Sequence, residues 1–455
     1  MNNILQKFLV SSDIQRWLEK QVYTVEKTEQ FYKKTDKDSQ CYYLRCFPDQ
    51  YFKVMTNSKG DEDRSPVSEE LYITERKKHI GRKVVKKIYT VNIDDEDFVL
   101  FEYLKSLKGI YIFVSYCKDA QSLQNSKVIE TLQPFVLKEI NNDKKYSDMS
   151  LAMYVKPMEY NLDKLFEQID AFEAANLFFW QVPRRIYVRD GVVLVLYKNL
   201  RLLHHYKVNF QRKHMSATLH RLRVLMRRTA TILETFEDLF NPNVSRFCRT
   251  LLLRYHEETK FLRYLYFLEE LCATRDTAKL SLYSELKTLI SEEEKLVTQM
   301  LLSKPFSQLI QILTRELYEQ ENEQYYGLKK AVKKVVRVRL KKFEVQLGKT
   351  SEGYNDEMLE ELYISMDTLQ TLLEDFFHII GEKETQMVVD ELNILLKPLR
   401  EYRNCKEREM IMKGIKEQSD YTILDIEPLL CEHVKELEEK ILNALKLLRT
   451  SKFYI

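Results

Sequence analysis

His220, Arg221, Arg223, Arg227 and Arg228 fall within nine residues, uninterrupted by any acid, inside the stretch MSATLHRLRVLMRRTATILETFEDLF from Met215 to Phe240. Guanidinium groups supply neither base nor nucleophile near neutral pH. Their chemistry is anion binding: each planar fork donates paired hydrogen bonds to phosphate or carboxylate oxygens, and an imidazole adds charge when protonated. At 100° per residue, His220, Arg223 and Arg227 share one side of a helix, while Leu222, Met226, Thr229, Leu233, Phe236 and Phe240 share the other. Ser216 or Thr218 is placed to cap its start. Glu234, Glu237 and Asp238 stand in the last turns, where the helix dipole prefers cations. The charge order therefore serves something other than helix stability.

A second basic stretch is Leu328 to Phe343, LKKAVKKVVRVRLKKF, with eight Lys/Arg and no acid. Leu328, Ala331, Val332, Val335, Val336 and Phe343 form its apolar side, and Lys330, Lys333, Lys334, Arg337 and Lys341 a stripe opposite. Lys330–Lys334, Lys333–Arg337 and Arg337–Lys341 are like-charge i,i+4 pairs, which cost helix stability unless an anion bridges them. Acids are also missing from Gly191 through Leu233, a run that adds Lys198, Arg201, His204, His205, Lys207, Arg212, Lys213 and His214. Such a run predicts a local positive field.

The net charge of the 455-residue chain is only +3, so anion binding must come from segregated charge. Nine glycines and nine prolines exclude a loop-rich or all-β chain of this length. Seven scattered cysteines have no metal-ligand spacing, and their odd number suits free thiols in a reducing cytoplasm. No apolar run is long enough to span a bilayer, so no membrane partner is expected. Nothing in the composition sets the oligomeric state.

Two patterns position these residues. Over the first 150 positions, ILQKFLV, CYYLRCF, YFKVMT, KVVKKIYTV, DFVLFEYL and GIYIFVSY are short β-branched and aromatic segments. Polar phrases at 57–61 and 92–96 separate them, predicting six to eight antiparallel strands. From 191 onward the period is helical, with segments at 191–206, 215–240, 243–272, 276–301, 305–343, 355–380, 384–412 and 426–450. Between them, Asn161 to Ala175 reads as an amphipathic helix, and Val188 to Val192 as a hairpin turn or, as favoured here, a helix start capped by Asp190. The expected domains are 1–155 (β) and 191–455 (helical), joined by 156–190.

The opening Asn3-Ile4-Leu5-Gln6-Lys7-Phe8-Leu9-Val10 resembles the E-x-E-x-K strand of the CYTH family, whose antiparallel tunnels bind and hydrolyse triphosphates with a divalent metal. Tyr42-Tyr43-Leu44-Arg45 is similar to its Y-R-L-R strand, Lys87 to the lysine of its K-x-R strand, and Tyr146-Ser147-Asp148-Met149-Ser150-Leu151-Ala152 to its closing phrase. The resemblance implies an antiparallel β tunnel or barrel. The acids do not carry over: Asn3 and Leu5 replace both opening glutamates, and Phe101, Val114 and Tyr116 stand where later strands carry metal-binding acids. A hard divalent ion needs several oxygen ligands. No metal, no cofactor and no catalysis are therefore expected, with Lys7, Arg45 and Lys87 left as a candidate residual anion site in the tunnel.

His220, Arg223, Arg227 and Arg228 match the His-x-x-Arg-x-x-x-Arg-Arg helix of the CHAD family, a conserved-histidine α-helical domain often found behind a CYTH domain. That resemblance implies two antiparallel helical bundles related by an internal repeat, with basic faces that bind inorganic polyphosphate, and association with polyphosphate granules. The second repeat helix falls at Leu359 to Gln370. Its apolar frame is kept, but Glu360, Tyr363, Asp367 and Thr368 replace the basic residues, so its acids are expected to repel a polyanion.

The expected chain is thus an α+β multidomain protein, non-enzymatic, binding inorganic polyphosphate through His220, Arg223, Arg227, Arg228, Lys330, Lys333, Lys334, Arg337 and Lys341. Nucleic acid is the less favoured ligand, because no aromatics interleave with the basic stripes to stack on bases. A metal-dependent triphosphatase is the enzymatic alternative.

Overall fold

The computed structural model describes residues 4–34, 40–56, 62–93, 96–117, 132–141, 143–154, 157–273, 280–319, 326–418 and 427–449. It divides into two compact units, residues 1–159 with 323–326, and residues 160–322 with 327–455.

The first unit is a nine-stranded antiparallel sheet. Its strands are β1 (Ile4–Val10), β2 (Tyr23–Lys33), β3 (Gln40–Cys46), β4 (Gln50–Thr56), β5 (Glu62–Pro66), β6 (Ile80–Ile93), β7 (Glu96–Tyr103), β8 (Tyr111–Cys117) and β9 (Val136–Glu139). They run in the order β5-β4-β3-β2-β6-β7-β8-β1-β9. All six apolar segments read from the sequence are strands; β2, β5 and β9 escaped that reading. The β2 segment YTVEKTEQFYK carries Glu26, Lys27 and Glu29 at its middle, which break the apolar alternation, and β5, EDRSP, is exposed throughout. Helices α1 (Ile14–Leu18), α2 (Glu69–Arg76) and α3 (Asp148–Met153) pack on the sheet. The Tyr146–Ala152 phrase acts as a cap: the Ser147 hydroxyl accepts from the Ser150 amide at 3.2 Å, starting α3. Part of the 92–96 phrase and all of 57–61 lie outside the described residues.

The second unit is helical. Its elements are α4 (Leu162–Ala171), α5 (Val188–Arg212), α6 (Ser216–Thr235), α7 (Pro242–Glu258), α8 (Lys260–Ala273), α9 (Leu280–Leu302) and α10 (Lys304–Glu319). Then come α11 (Leu328–Lys349), α12 (Asp356–Asp375), α13 (Phe377–Ile380), α14 (Glu382–Gln418) and α15 (Glu427–Leu448). Asn161 caps α4, as its amide-bearing side chain predicts. The favoured helix at Val188 is correct, but Tyr187 is its N-cap. Asp190 lies inside the first turn and accepts from the Tyr160 hydroxyl. The first turns of α5 lie close to α11, and a Cβ on Gly191 would meet Leu328 at 2.6 Å, so that position needs glycine.

Three long predicted helices are split, 355–380 at Phe376 into α12 and α13. The segment 243–272 breaks at Thr259, whose hydroxyl bonds back to the Tyr255 and His256 carbonyls at 3.0 and 2.9 Å. The segment 305–343 is α10 and α11. Neither Ser216 nor Thr218 caps α6; Met215 holds the N-cap with no side-chain bond. The predicted apolar side of α6 is buried, with Leu222, Met226, Thr229 and Leu233 at 0% exposure.

The internal repeat is visible in how α6 and α12 end. Phe236 (φ −120°, ψ 31°) and Phe376 (φ −116°, ψ 21°) leave their helices in the same conformation. Their rings meet edge to face, 5.9 Å between centroids. The sequence offset that carries Phe236 onto Phe376 carries Arg227 onto Asp367 and His220 onto Glu360.

Candidate anion-binding cleft

In the helical unit, α6 and α12 face α14 and the α7–α8 junction across a cleft of about 200 Å³. Seven Lys/Arg side chains and two histidines line it against four carboxylates. The signature residues all reach it, but not as one solvated face. Arg223 is 3% exposed. It donates to the His256 carbonyl and, at 2.7 Å, to the Thr259 hydroxyl, using the acceptors that the break between α7 and α8 presents. Burial, together with Arg263, lowers its pKa to about 10.

Arg227 reaches across to α12, meeting the Asp367 carboxylate at 2.6 Å and the Tyr363 hydroxyl at 2.8 Å. Arg228 pairs with Glu374 at 2.9 Å and with buried Asp375 at 3.2 Å. For both arginines burial works against the charge, but these carboxylates outweigh it and hold the pKa above its ordinary value. The acids of the second repeat helix are thus counter-ions of the first. The expectation that Asp367 and Glu360 form a separate repelling face is corrected: Asp367 also meets Arg400 at 3.5 Å, and Glu360 meets Arg403 at 3.1 Å.

His220 is exposed at the rim. Desolvation first, then Arg263, Arg223 and Arg400, hold its pKa below that of a free imidazole. His256 is shifted the same way, by burial above all, although Glu257 lies 3.2 Å away. Sequence reading missed His256, Lys260, Arg263, Arg400 and Arg403. The i,i+3 spacing of Arg400 and Arg403 on a helix was a usable signal. Arg263 sits in an otherwise aromatic stretch, FLRYLYF, and gave none.

The α11 stripe does not line this cleft. Lys330, Lys334, Arg337 and Lys341 are exposed, and half-buried Lys333 meets Glu384 at 3.2 Å. The acid-free run is likewise not acid-free in space: Arg201 pairs with Asp170 at 3.1 Å and His214 with Glu294 at 3.3 Å, while Lys198 is buried.

In the sheet unit, Lys7, Arg45 and Lys87 do not converge. Cross-strand partners share a face, and the register Lys7↔Val114↔Val99 continues through Thr90, two residues from Ile88 and Lys86. Lys87 therefore points to the opposite face, where it meets Glu102 at 3.6 Å. Arg45, opposite Glu29, lies on that face too, over the Phe47 ring at 4.3 Å. Lys86 is on Lys7's face, paired with Asp148 at 2.5 Å beneath Phe101. Phe101 and Val114 pack into that core, so neither position offers a ligand. Glu29 is held by Arg76 and Lys105, and Glu102 by Tyr89 and Lys87. Among the described residues no three His, Cys, Asp or Glu side chains gather as a metal site. With Glu29 and Glu102 on one face and Asp148 on the other, each bound to a cation, and Glu62 bound to the Tyr42 hydroxyl, this donor set does not fit a resident divalent ion.

The fold and the histidine–arginine helix together define a β unit followed by a CHAD-type helical unit. Residues 195–406 match the model of the CHAD domain family. The crystal structure of the CHAD domain from the plant Ricinus communis aligns at 15% identity and TM-score 0.49, covering 60% of this chain and 97% of that one. The inorganic triphosphatase NE1496 aligns at 18% identity and TM-score 0.29, covering 34% of this chain and 98% of that one. The PH1819 protein of Pyrococcus horikoshii aligns at 15% identity and TM-score 0.24, covering 33% and 97%. No curated protein matches the chain. Among the described residues no helix is long and apolar enough to cross a membrane.

Proposed function

We propose that this protein binds inorganic polyphosphate through its helical unit and has no catalytic role in the sheet unit. The observation that carries the reading is the convergence of His220 and Arg223 with Arg263, Arg400 and Arg403 in one cleft of the unit that matches the CHAD domain family, where cations outnumber carboxylates. A polyphosphate chain offers closely spaced oxyanions without bases or sugars. It is therefore gripped by charge and by charge-assisted hydrogen bonds, each contributing about 1.5–3 kcal/mol. The exposed α11 stripe is a second region for the same chain, independent of the cleft. Polyphosphate granules are the cellular setting this ligand suggests.

The sheet unit is read as non-catalytic for a chemical reason: phosphoryl transfer needs charge neutralised at the reacting phosphate, and Glu29, Glu102 and Asp148 are committed to cations on two different faces. Calorimetric titration with polyphosphates of graded length, with RNA as competitor, tests the reading. Affinity should rise with chain length, and RNA should displace the ligand poorly. RNA bound as tightly as polyphosphate at equal charge would replace this function with nucleic-acid binding.

A further inference from the structure

The cations of the cleft are not equivalent. Arg227 and Arg228 are consumed by Asp367, Glu374 and Asp375, and Arg223 by a carbonyl and a hydroxyl. Lys260 lies 3.1 Å from Glu407. Arg263 differs from all of these, having no ion pair among the described residues although it is half-buried in the same cleft. Arg400 is the most exposed of the paired arginines on this wall, at 41% of its side chain, and its contact with Asp367 is the longer one at 3.5 Å. His220 lines the same cleft as both, and Arg263 and Arg400 are among the charges that act on it.

Resting on the polyphosphate reading above, we propose that the oxyanion seat lies between Arg263, Arg400 and His220, and that Arg227 and Arg228 position the cleft without touching ligand. Arg263 and Arg400, with Glu407 the main compensating charge on Arg263, repel each other in the empty protein and disfavour the charged form of His220; a phosphoryl group placed among the three removes that repulsion. On the α12 wall a phosphoryl oxygen would have to displace a carboxylate already bound at 2.6 Å. The acids of the second repeat helix thus direct the ligand to the α8–α14 wall, and the site is one-sided although the fold is repeated.

The experiment is calorimetric titration of long-chain polyphosphate into the full chain and four variants, Arg263→Ala, Arg263→Lys, Arg400→Ala and Arg227→Ala, with a urea melt of each. Arg263→Ala and Arg400→Ala should each weaken binding about tenfold or more, equivalent to about 1.4 kcal/mol, with unfolding midpoints near wild type. Arg263→Lys should recover part of the loss. Arg227→Ala should lower the midpoint and, where folded, leave affinity within about threefold. Wild-type affinity in both Arg263→Ala and Arg400→Ala, with wild type still binding, overturns the seat alone. Absence of binding by wild type removes the polyphosphate reading and the seat together.

Discussion

Arg227 and Asp367 hold equivalent places in the two halves of the helical unit, and their side chains meet at 2.6 Å. A repeat that kept arginine at both places would set two guanidinium groups against each other. Here one half carries the cation and the other its counter-ion, so the loss of the basic signature from the second half is complementary rather than degenerate. Asp367→Arg should destabilise the chain by about 3 kcal/mol, the order found when one partner of a largely buried pair is removed. The exchanged pair, Arg227→Asp with Asp367→Arg, should recover most of it. Urea unfolding of the three variants measures the coupling, and additive single effects would deny it.

Arg223 is expected to behave as a structural residue as well as a source of charge. Arg223→Ala removes a charged donor from both the His256 carbonyl and the Thr259 hydroxyl in a buried place, a loss of about 2–3 kcal/mol. A thermal melt unchanged from wild type would contradict this.

Binding should depend on pH through the rim histidine. In the empty cleft, desolvation and then Arg263, Arg223 and Arg400 hold the His220 pKa low. A bound polyanion reverses the sign of that field and raises it, so binding takes up a proton. Affinity should therefore tighten as pH falls through histidine's ordinary range, about 6.5, and His220→Ala should flatten the profile. His256, beside Glu257 and under Arg223 and Arg227, is the other titrating group of the cleft. A slope retained in His220→Ala and lost in His256→Ala would transfer the role.

The α11 stripe is tested by Lys334→Glu with Arg337→Glu. Both side chains are exposed on the side opposite the buried Val332, Val336 and Phe343, so the fold should survive. The expected result is a loss of about tenfold in polyphosphate affinity and a shallower salt dependence, since fewer counterions are exchanged. Unchanged affinity and slope would make the stripe plain solvated surface.

In the sheet unit, burial pushes the Asp148 carboxyl up. Lys86, Tyr103 and Gln30 outweigh it and leave the pKa below the ordinary value. A group depressed on folding contributes stability above its unfolded pKa, about 3.9, and loses it as pH falls through the folded value. Asp148→Asn should therefore lower stability at pH 7, by an amount that shrinks as pH falls below about 3.9, as followed by denaturant unfolding. With magnesium or manganese, phosphate release from triphosphate should stay at background; turnover abolished by Lys7→Ala would establish catalysis instead.

Much of the architecture was legible in the chain. Period-two apolar segments marked six of nine strands, and helical periods marked the buried faces of α6, α11 and α12, because side chains must leave water on one face whatever they pack against. The same periodicity brought His220, Arg223, Arg227 and Arg228 to one cleft. It could not say which charges remain available, since Asp367, Glu374 and Asp375 lie far away in sequence and reach the arginines only when α12 packs on α6. Nor could it give the face of Lys87, because a one-residue slip in register turns every side chain of a strand over. Local pattern determined which elements form and which sides they bury. Tertiary packing decided which cations are neutralised and left the positive field around Arg263, because Coulomb pairing depends on distance in space and not along the chain.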